Sequence, residues 1–352
     1  MSKQSVSIQV LDPDTLPEHM QGIIDYVQSS SPLALTRHPR WLHIFSQAMQ
    51  HEPYVIQANV DGQLVGALPL VYMQSFLFGK RLVSLPYVNT AGVKANSPEI
   101  AQHLVKAAMT LADRLRVKAL ELRHEERVDV QGLSEPEKQK LHMRLSLPAT
   151  SELLWKSFDP KVRNQIRKGE KAQLTISWGS LDELGAFYDI FARNMRDLGT
   201  PVFGVELFAT ILTTFPKDAE VCIVRQGSKP VAASLLLHGK DITEVPSASS
   251  LREYNSTCAN MLMYWHLLQR SIERQQTTFD FGRSSPDSPT YQFKKQWGAQ
   301  PVPAVWQYYL RKGSASDLRP DNPKFQRIIT LWKKIPVSLS RIIGPAIARG
   351  IP

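Results

Sequence analysis

The chain is poor in cysteine: Cys222 and Cys258 are the only two in 352 residues, and no CxxC pair occurs. That argues against a disulfide framework or a cysteine-rich zinc site and fits a reducing compartment. No apolar run of about 18 residues is present, so no membrane span is expected. The opening MSKQSVSIQVLDPDTLPEHM lacks the basic-then-apolar order of a secretory signal, and the cytoplasm is the expected location. Strong charge is also missing from most of the chain. Residues 311–352 hold nine Lys/Arg and two acids, which is +7 of the net +10, and residues 1–310 are left with only +3. A body so nearly neutral argues against a nucleic-acid binder and predicts no DNA partner. What remains is an ordinary globular composition, 43% hydrophobic and 21% charged, with length for two domains rather than one.

The chain repeats itself. Residues 55–71, VIQANVDGQLVGALPLV, and 221–237, VCIVRQGSKPVAASLLL, each read as strand, turn and strand, with turns at Asp61-Gly62 and Gly227-Ser228. Each hairpin is followed by a strand (81–85; 242–248), a long helical pattern (98–116; 257–275) and a short strand (118–123; 277–282). Helical sequence precedes both, at 37–50 and at 181–198 with 204–214. A match in element order predicts duplication. Each unit is expected to be α/β (α+β), a mixed and mostly antiparallel sheet that ends in a βαβ crossover and is flanked by helices. The expected division is 1–150, 151–312 and a basic tail, 313–352.

Near the join, DPKVRNQIRKGEKA (159–172) has the start signals of a helix, with Asp159 placed to cap and Pro160 at the first position. Arg163, Arg167, Lys168 and Lys171 make it cationic, either a solvated face or a docking surface for an anionic substrate. The most unusual stretch is FDFGRSSPDSPTYQFKKQWG (279–298). Strand alternation puts Phe279 and Phe281 in the core and Asp280 and Gly282 on the opposite face. Gly282 permits close approach of a ligand or backbone. SSPDSP reads as a surface rim, and TYQFKKQWG as a short helix with Tyr291, Lys294 and Trp297 near one side. Asp280 is then a buried structural partner of Arg283 or a lysine, or a carboxylate that orients or deprotonates a substrate.

The hairpin GQLVGALPLV, the basic helix VRNQIRKGEK, the helix NMLMYWHLLQRSI and above all FDFGRSSPDSPTYQFKKQWGAQP resemble the FemAB-like proteins. These are tandem members of the acyl-CoA N-acyltransferase (GNAT) superfamily, and the subgroup most similar is the one associated with PEP-CTERM and exopolysaccharide systems. The resemblance runs over about residues 30–350. It implies two GNAT-like units, acyl or aminoacyl transfer to an amine, and acyl-CoA or aminoacyl-tRNA as donor substrate, with no permanently bound cofactor or metal. The chain departs from tRNA-using members in having no long charged insertion between 180 and 300, which favours a thioester donor.

Acyl transfer requires donor phosphates to be held, an oxyanion to be stabilised, and an amine to arrive neutral and lose a proton. For the donor, Asn255, Ser256, Thr257 and Asn260 lie where the helix after the central strands begins. They either cap that helix or bind phosphate, and the glycine-rich loop usual at this point in GNAT enzymes is absent from REYNST. By resemblance Lys294 stabilises the oxyanion or holds a phosphate, with Asp280 and Arg283 as its catalytic neighbours. Arg163, Arg167, Tyr291, His38, Tyr87 and Asn89 are the expected acceptor contacts, the last three lining a groove between the units.

The tail NPKFQRIITLWKKIPVSLSRIIGPAIARGIP spaces Phe325, Ile328, Ile329, Trp332 and Ile335 helically, with Lys324, Arg327, Lys333 and Lys334 largely elsewhere, and Pro336 and Pro345 interrupting the pattern. It is either a helix packed on the body or, over 322–352, a peripheral membrane contact. The function expected is an N-acyl- or aminoacyltransferase acting on an amino-bearing glycan or peptide of the cell envelope or an exopolysaccharide precursor, in the cytoplasm or at the inner face of the membrane. The alternative is a non-catalytic, membrane-associated assembly factor for such systems.

Overall fold

The computed structural model describes residues 5–76, 78–136, 139–311 and 326–351. In chain order the first unit contains β1 (Val6–Leu11), α1 (Leu16–Gln28), α2 (Trp41–Met49), β2 (Glu52–Val60), β3 (Gln63–Ser75), β4 (Gly79–Val83), the two-residue β5 (Lys94–Ala95), α3 (Pro98–Arg114) and β6 (Ala119–His124). There follow β7 (Leu141–Ser146), α4 (Ser151–Ser157), α5 (Pro160–Lys171), β8 (Leu174–Gly179), α6 (Leu184–Leu198), α7 (Val205–Thr214), β9 (Ala219–Gln226), β10 (Lys229–His238), β11 (Ile242–Ser250), α8 (Ala259–Glu273) and β12 (Thr278–Ser284). The chain closes with α9 (Pro289–Lys295), β13 (Gln300–Pro303), β14 (Val305–Leu310), α10 (Gln326–Trp332) and α11 (Val337–Ala348).

The repeat read from the sequence is present. The hairpins β2–β3 and β9–β10 are antiparallel, and β4–β6 and β11–β12 are the parallel pairs that the two crossover helices α3 and α8 require. The first hairpin turns at Asp61 (φ 49°) and Gly62 (φ 78°), the left-handed pair that a tight two-residue turn needs.

Each sheet takes strands from both sides of residue 150. Their orders are β1-β2-β3-β4-β6-β14, with β5 on β3, and β13-β7-β12-β11-β10-β9-β8. β7 precedes the second unit in sequence yet pairs antiparallel with β12 inside its sheet, and β14 returns from the far end of the chain to pair with β6. Strand periodicity tells which face of a strand is buried but not which strand lies beside it, so this exchange carries no sequence signal.

Three cores follow from this layering. One lies on the outer face of the first sheet under α3, and one on the outer face of the second under α5 and α8. The third lies between the units and includes Trp41 and Phe45 of α2, Phe187 and Phe191 of α6 and Phe208 of α7, with α7 packed on both α2 and α6. Burying each such aromatic side chain is worth about 2–3 kcal/mol.

The described tail packs on the body. Arg341 pairs with Asp189 of α6, Arg196 donates to the Ile335 carbonyl (2.7 Å), and the Tyr87 hydroxyl donates to the Arg349 carbonyl (2.6 Å). Helix α10 ends before Pro336 as expected, but Pro345 lies inside α11 rather than interrupting it. Lys324 and Phe325 lie outside the described residues, as do the side chains of Arg327 and Ile328. No described helix is long and apolar enough to cross a membrane.

Candidate active site

Strands β11 and β12 pair through Ile242↔Thr278, Thr243↔Phe279 and Glu244↔Asp280. β11 continues beside β10 to Ser250, and β12 beside β7 to Ser284. The parallel pairing therefore ends on two adjacent carboxylates. Phe279 and Phe281 face the outer core with Tyr264 and Trp297, as the alternation predicts. Asp280 faces the first unit.

Simple alternation would send Asp280 and Arg283 to opposite faces. A bulge changes that: from Asp280 to Arg283 the strand advances three residues while β7 advances two, from Arg144 to His142. The extra residue sits at Gly282, whose φ of 78° a side chain would strain. A Cβ there would also lie 3.3 Å from Asn89 Nδ2 and 3.9 Å from Lys294 Nζ. The bulge re-aims Arg283 towards the first unit, where its Nε donates to Asn89 Oδ1 (3.0 Å) and its guanidinium stacks over Trp306, 3.5 Å from the ring centroid. Arg123 also stacks on Trp306, at 4.1 Å. The exchanged strand β14 supplies that ring.

Asp280 is buried, 3% exposed. It is not paired with Arg283 or a lysine side chain, as one reading of the sequence had it. Its Oδ2 accepts from Arg144 Nε (3.0 Å), with His142 Nδ1 at 3.5 Å, and its Oδ1 accepts from the Gly282 amide (2.7 Å). Burial opposes its ionisation, but His142 and Arg144 outweigh that and hold it below the ordinary aspartate value. Glu244 goes the other way. Burial first, then the negative charge of Asp280, push it up to about 7, although Thr36 donates to it from both its amide (3.0 Å) and its hydroxyl (2.7 Å). Two neighbouring carboxyls with opposite shifts are thus set by environment.

Lys294 is 8% exposed and donates to the carbonyls of Gly282 (3.1 Å) and Arg283 (3.0 Å). Burial lowers it to about 8. An ammonium has three donors, so one remains. Burial and the nearby Arg123 lower Arg283 to about 9.

Asp280, Arg283, Lys294 and Asn89 therefore gather round Gly282. The other expected residues lie elsewhere. His38 is buried between the units, edge-on to Phe215, accepting from the Arg40 amide; burial and Arg40 lower it to about 4. Tyr87 is bound to His51 and to the tail, and burial raises its hydroxyl. Arg163 is half-buried and Arg167 lies over Trp155, both on α5. Asp159 stands at the cap position of α5 without a side-chain capping bond. Tyr291 packs at the edge of the outer core beside Lys295.

Asn255, Ser256 and Thr257 do not cap α8. They form a 3-10 turn before it, and the Thr257 hydroxyl donates back to the Tyr254 carbonyl (2.7 Å). The cap position belongs to Cys258, in a left-handed conformation (φ 58°) with no side-chain capping bond, and Asn260 lies in the first turn. No group of His, Cys, Asp and Glu among the described residues could hold a metal ion.

Sequence reasoning missed Glu244, Thr36, His142, Arg144 and Trp306. Glu244 leaves one trace, a carboxylate inside ITEVPSASS, a strand otherwise of apolar and small neutral residues. The other four come from segments that only the fold brings together.

Residues 156–295 match the family model described as acetyltransferase (GNAT) domain. No curated protein matches the sequence. Among solved structures, the chain is similar to FemX (TM-score 0.65, 15% identity, 91% of this chain and 100% of that one). It is similar also to a tandem GNAT protein from the clavulanic acid biosynthesis pathway (0.53, 12%, 88% and 100%) and to L-PGS from Bacillus licheniformis (0.53, 13%, 92% and 98%). The mixed sheets, their flanking helices and the doubled arrangement are the fold that these proteins share with it.

Proposed function

We propose that this chain, a FemAB-like tandem GNAT acyltransferase, moves an acyl or aminoacyl group onto an amine of a cell-envelope or exopolysaccharide precursor in the cytoplasm, with chemistry in its second unit. The observation that carries this is the end of the β11–β12 pairing on Glu244 and Asp280, with Lys294 and Arg283 beside them. The amine nitrogen attacks the donor carbonyl, the new C–N bond forms, and the bond to the leaving group breaks. Glu244, shifted close to neutrality, accepts the amine proton. Asp280, held ionised, orients the amine. The third Lys294 donor meets the oxyanion.

An acyl-CoA donor is favoured over aminoacyl-tRNA by the lack of a long charged insertion. Its phosphates would sit at the start of α8, where no side chain occupies the amides, with Asn255, Ser256, Thr257 and Asn260 around them. The acceptor would lie against Asn89 between the units, approached past Arg163, Arg167 and Tyr291. His38 and Tyr87 are engaged in packing and support that groove from behind.

A second reading is a non-catalytic assembly factor that retains the fold. The closure of the site favours it, since Asp280 and Lys294 are almost wholly buried and internally bonded. Thermal denaturation with acyl-CoA, aminoacyl-tRNA and a nucleotide-linked aminosugar separates the two readings. A rise in Tm with one donor, followed by transfer to an amine and release of free thiol or tRNA, supports the enzyme. No rise with any donor supports the assembly factor.

A further inference from the structure

Helix α11 is built inside out. Its body-facing positions are Ser340, Gly344 and Ala348, spaced by four, all buried. A Cβ at Gly344 would lie within about 3 Å of Val202, so the helix lies close against the segment after α6. Three of its large apolar residues, Leu339, Ile342 and Ile343, point to solvent at 42%, 75% and 38% exposure, while Val337 and Ile347 are half-buried. Leu331 at the end of α10 adds a fourth at 65%. A helix that served only to cover the body would place these side chains inward.

The chain past α11 runs into the β3–β4 turn, where Gly350 lies against Ser75 and Phe78. Phe76 in that turn is fully exposed, with the exposed Lys80 close by and the Lys118 side chain against Gly79. Between α10 and α11, Lys333 and Lys334 are exposed. Residues 326–351 contain five Lys/Arg and no acid. Asp189, an acid of α6 in contact with α11, is taken by Arg341.

We infer that α10, α11 and the β3–β4 turn form a docking face for an anionic lipid bilayer. The large apolar side chains enter the headgroup boundary, and Lys333, Lys334, Lys80 and Lys118 meet anionic headgroups. Spanning is ruled out by length, because twelve helical residues cover about 18 Å of an apolar core about 30 Å thick. A second copy of the chain fits less well, since a two-fold contact would bring these cations face to face. Docking does not depend on the acyltransferase reading, and vesicle binding needs no turnover.

The test is co-sedimentation of the full chain with phosphatidylcholine vesicles that contain or lack phosphatidylglycerol. The wild type should bind the anionic vesicles, release them at high salt, and leave the neutral ones at least about tenfold more weakly bound. Ile342→Glu with Ile343→Ser, and separately Lys333→Glu with Lys334→Glu, should each weaken anionic binding about tenfold or more, while Phe76→Ser should weaken it a few-fold. All these side chains are exposed, so the variants should keep the wild-type Tm. Absence of wild-type binding, equal binding to both vesicle types, or unchanged binding by both double variants would overturn the inference. So would a wild-type dimer that Ile342→Glu dissociates, which would assign the face to a second copy.

Discussion

The two units end their parallel strand pairs in the same way and fill the ends differently. In the first unit, pairing of β4 with β6 finishes at Val83↔Glu121, and Glu121 is neutralised by Arg123 at 2.6 Å. In the second, the last pair is Glu244↔Asp280, and Arg144 bonds to Asp280 and to Glu125 but not to Glu244. Glu244 is left with hydroxyl and amide donors from Thr36 and no cation in contact. One fold thus holds a carboxylate with its charge matched, and a carboxylate pair whose charge is matched once. A buried ion pair fixes structure. A carboxyl poised near neutrality can move a proton.

The helices that follow repeat the contrast. Ser97 caps α3 by accepting from the Ile100 amide (3.3 Å), and Glu99 lies in its first turn. Helix α8 has neither a side-chain cap nor an acid in its first turn. The first unit closes its helix end with a side chain, and the second does not.

The comparison breaks most sharply at Glu244. Replacing Glu244 with Gln should lower kcat by about 10²–10⁴ if it is the general base, while Glu121→Gln should leave kcat within a few-fold. Similar losses in both variants would mean that Glu244 is a packing residue like its counterpart. Next comes stability. Glu121→Ala strands Arg123 as an uncompensated buried charge and should cost about 3–5 kcal/mol in denaturant unfolding. A loss below about 1 kcal/mol would show that the Val88 carbonyl and Trp306 suffice for that guanidinium. Third, Lys294→Ala should raise the barrier by about 3–4 kcal/mol, the usual loss for one oxyanion donor. Equal falls in turnover and in folded fraction would make Lys294 a clip for the Gly282 bulge.

Much of this was legible beforehand because it is local. The hairpins, the crossover helices and the placing of Asp280 opposite Phe279 and Phe281 follow from periods of two and 3.6 residues and from glycine at the turns. The role of Lys294 came from resemblance rather than periodicity, and Asn89 was expected only in a groove between the units. Two kinds of feature escaped. A bulge shows only when both strands are seen together, so the swing of Arg283 onto the face of Asp280 was hidden. Strand exchange is a choice of neighbour, so neither His142 and Arg144 on β7 nor Trp306 on β14 could be assigned to this site. The helix cap expected from Asn255, Ser256 and Thr257 failed because a left-handed Cys258 separates their turn from α8.

A smaller effect sharpens the contrast through pH. The native Glu244 value is raised from 4.5 to about 7, so the folded state holds a proton there that the unfolded chain has released. The associated stability is fully present below about pH 4.5 and is lost as pH rises through 7. Glu244→Gln cannot ionise and keeps its stability. The Tm of the variant relative to wild type should therefore climb between pH 5 and pH 8 and level off above that. Asp280 and Glu220, both lowered, lose their contributions in acid, but they do so equally in the two proteins and drop out of the difference. A flat difference for Glu244→Gln would mean that Glu244 is ionised in the fold at neutral pH, matched by Thr36 alone, and the base would then have to be sought in Asp280.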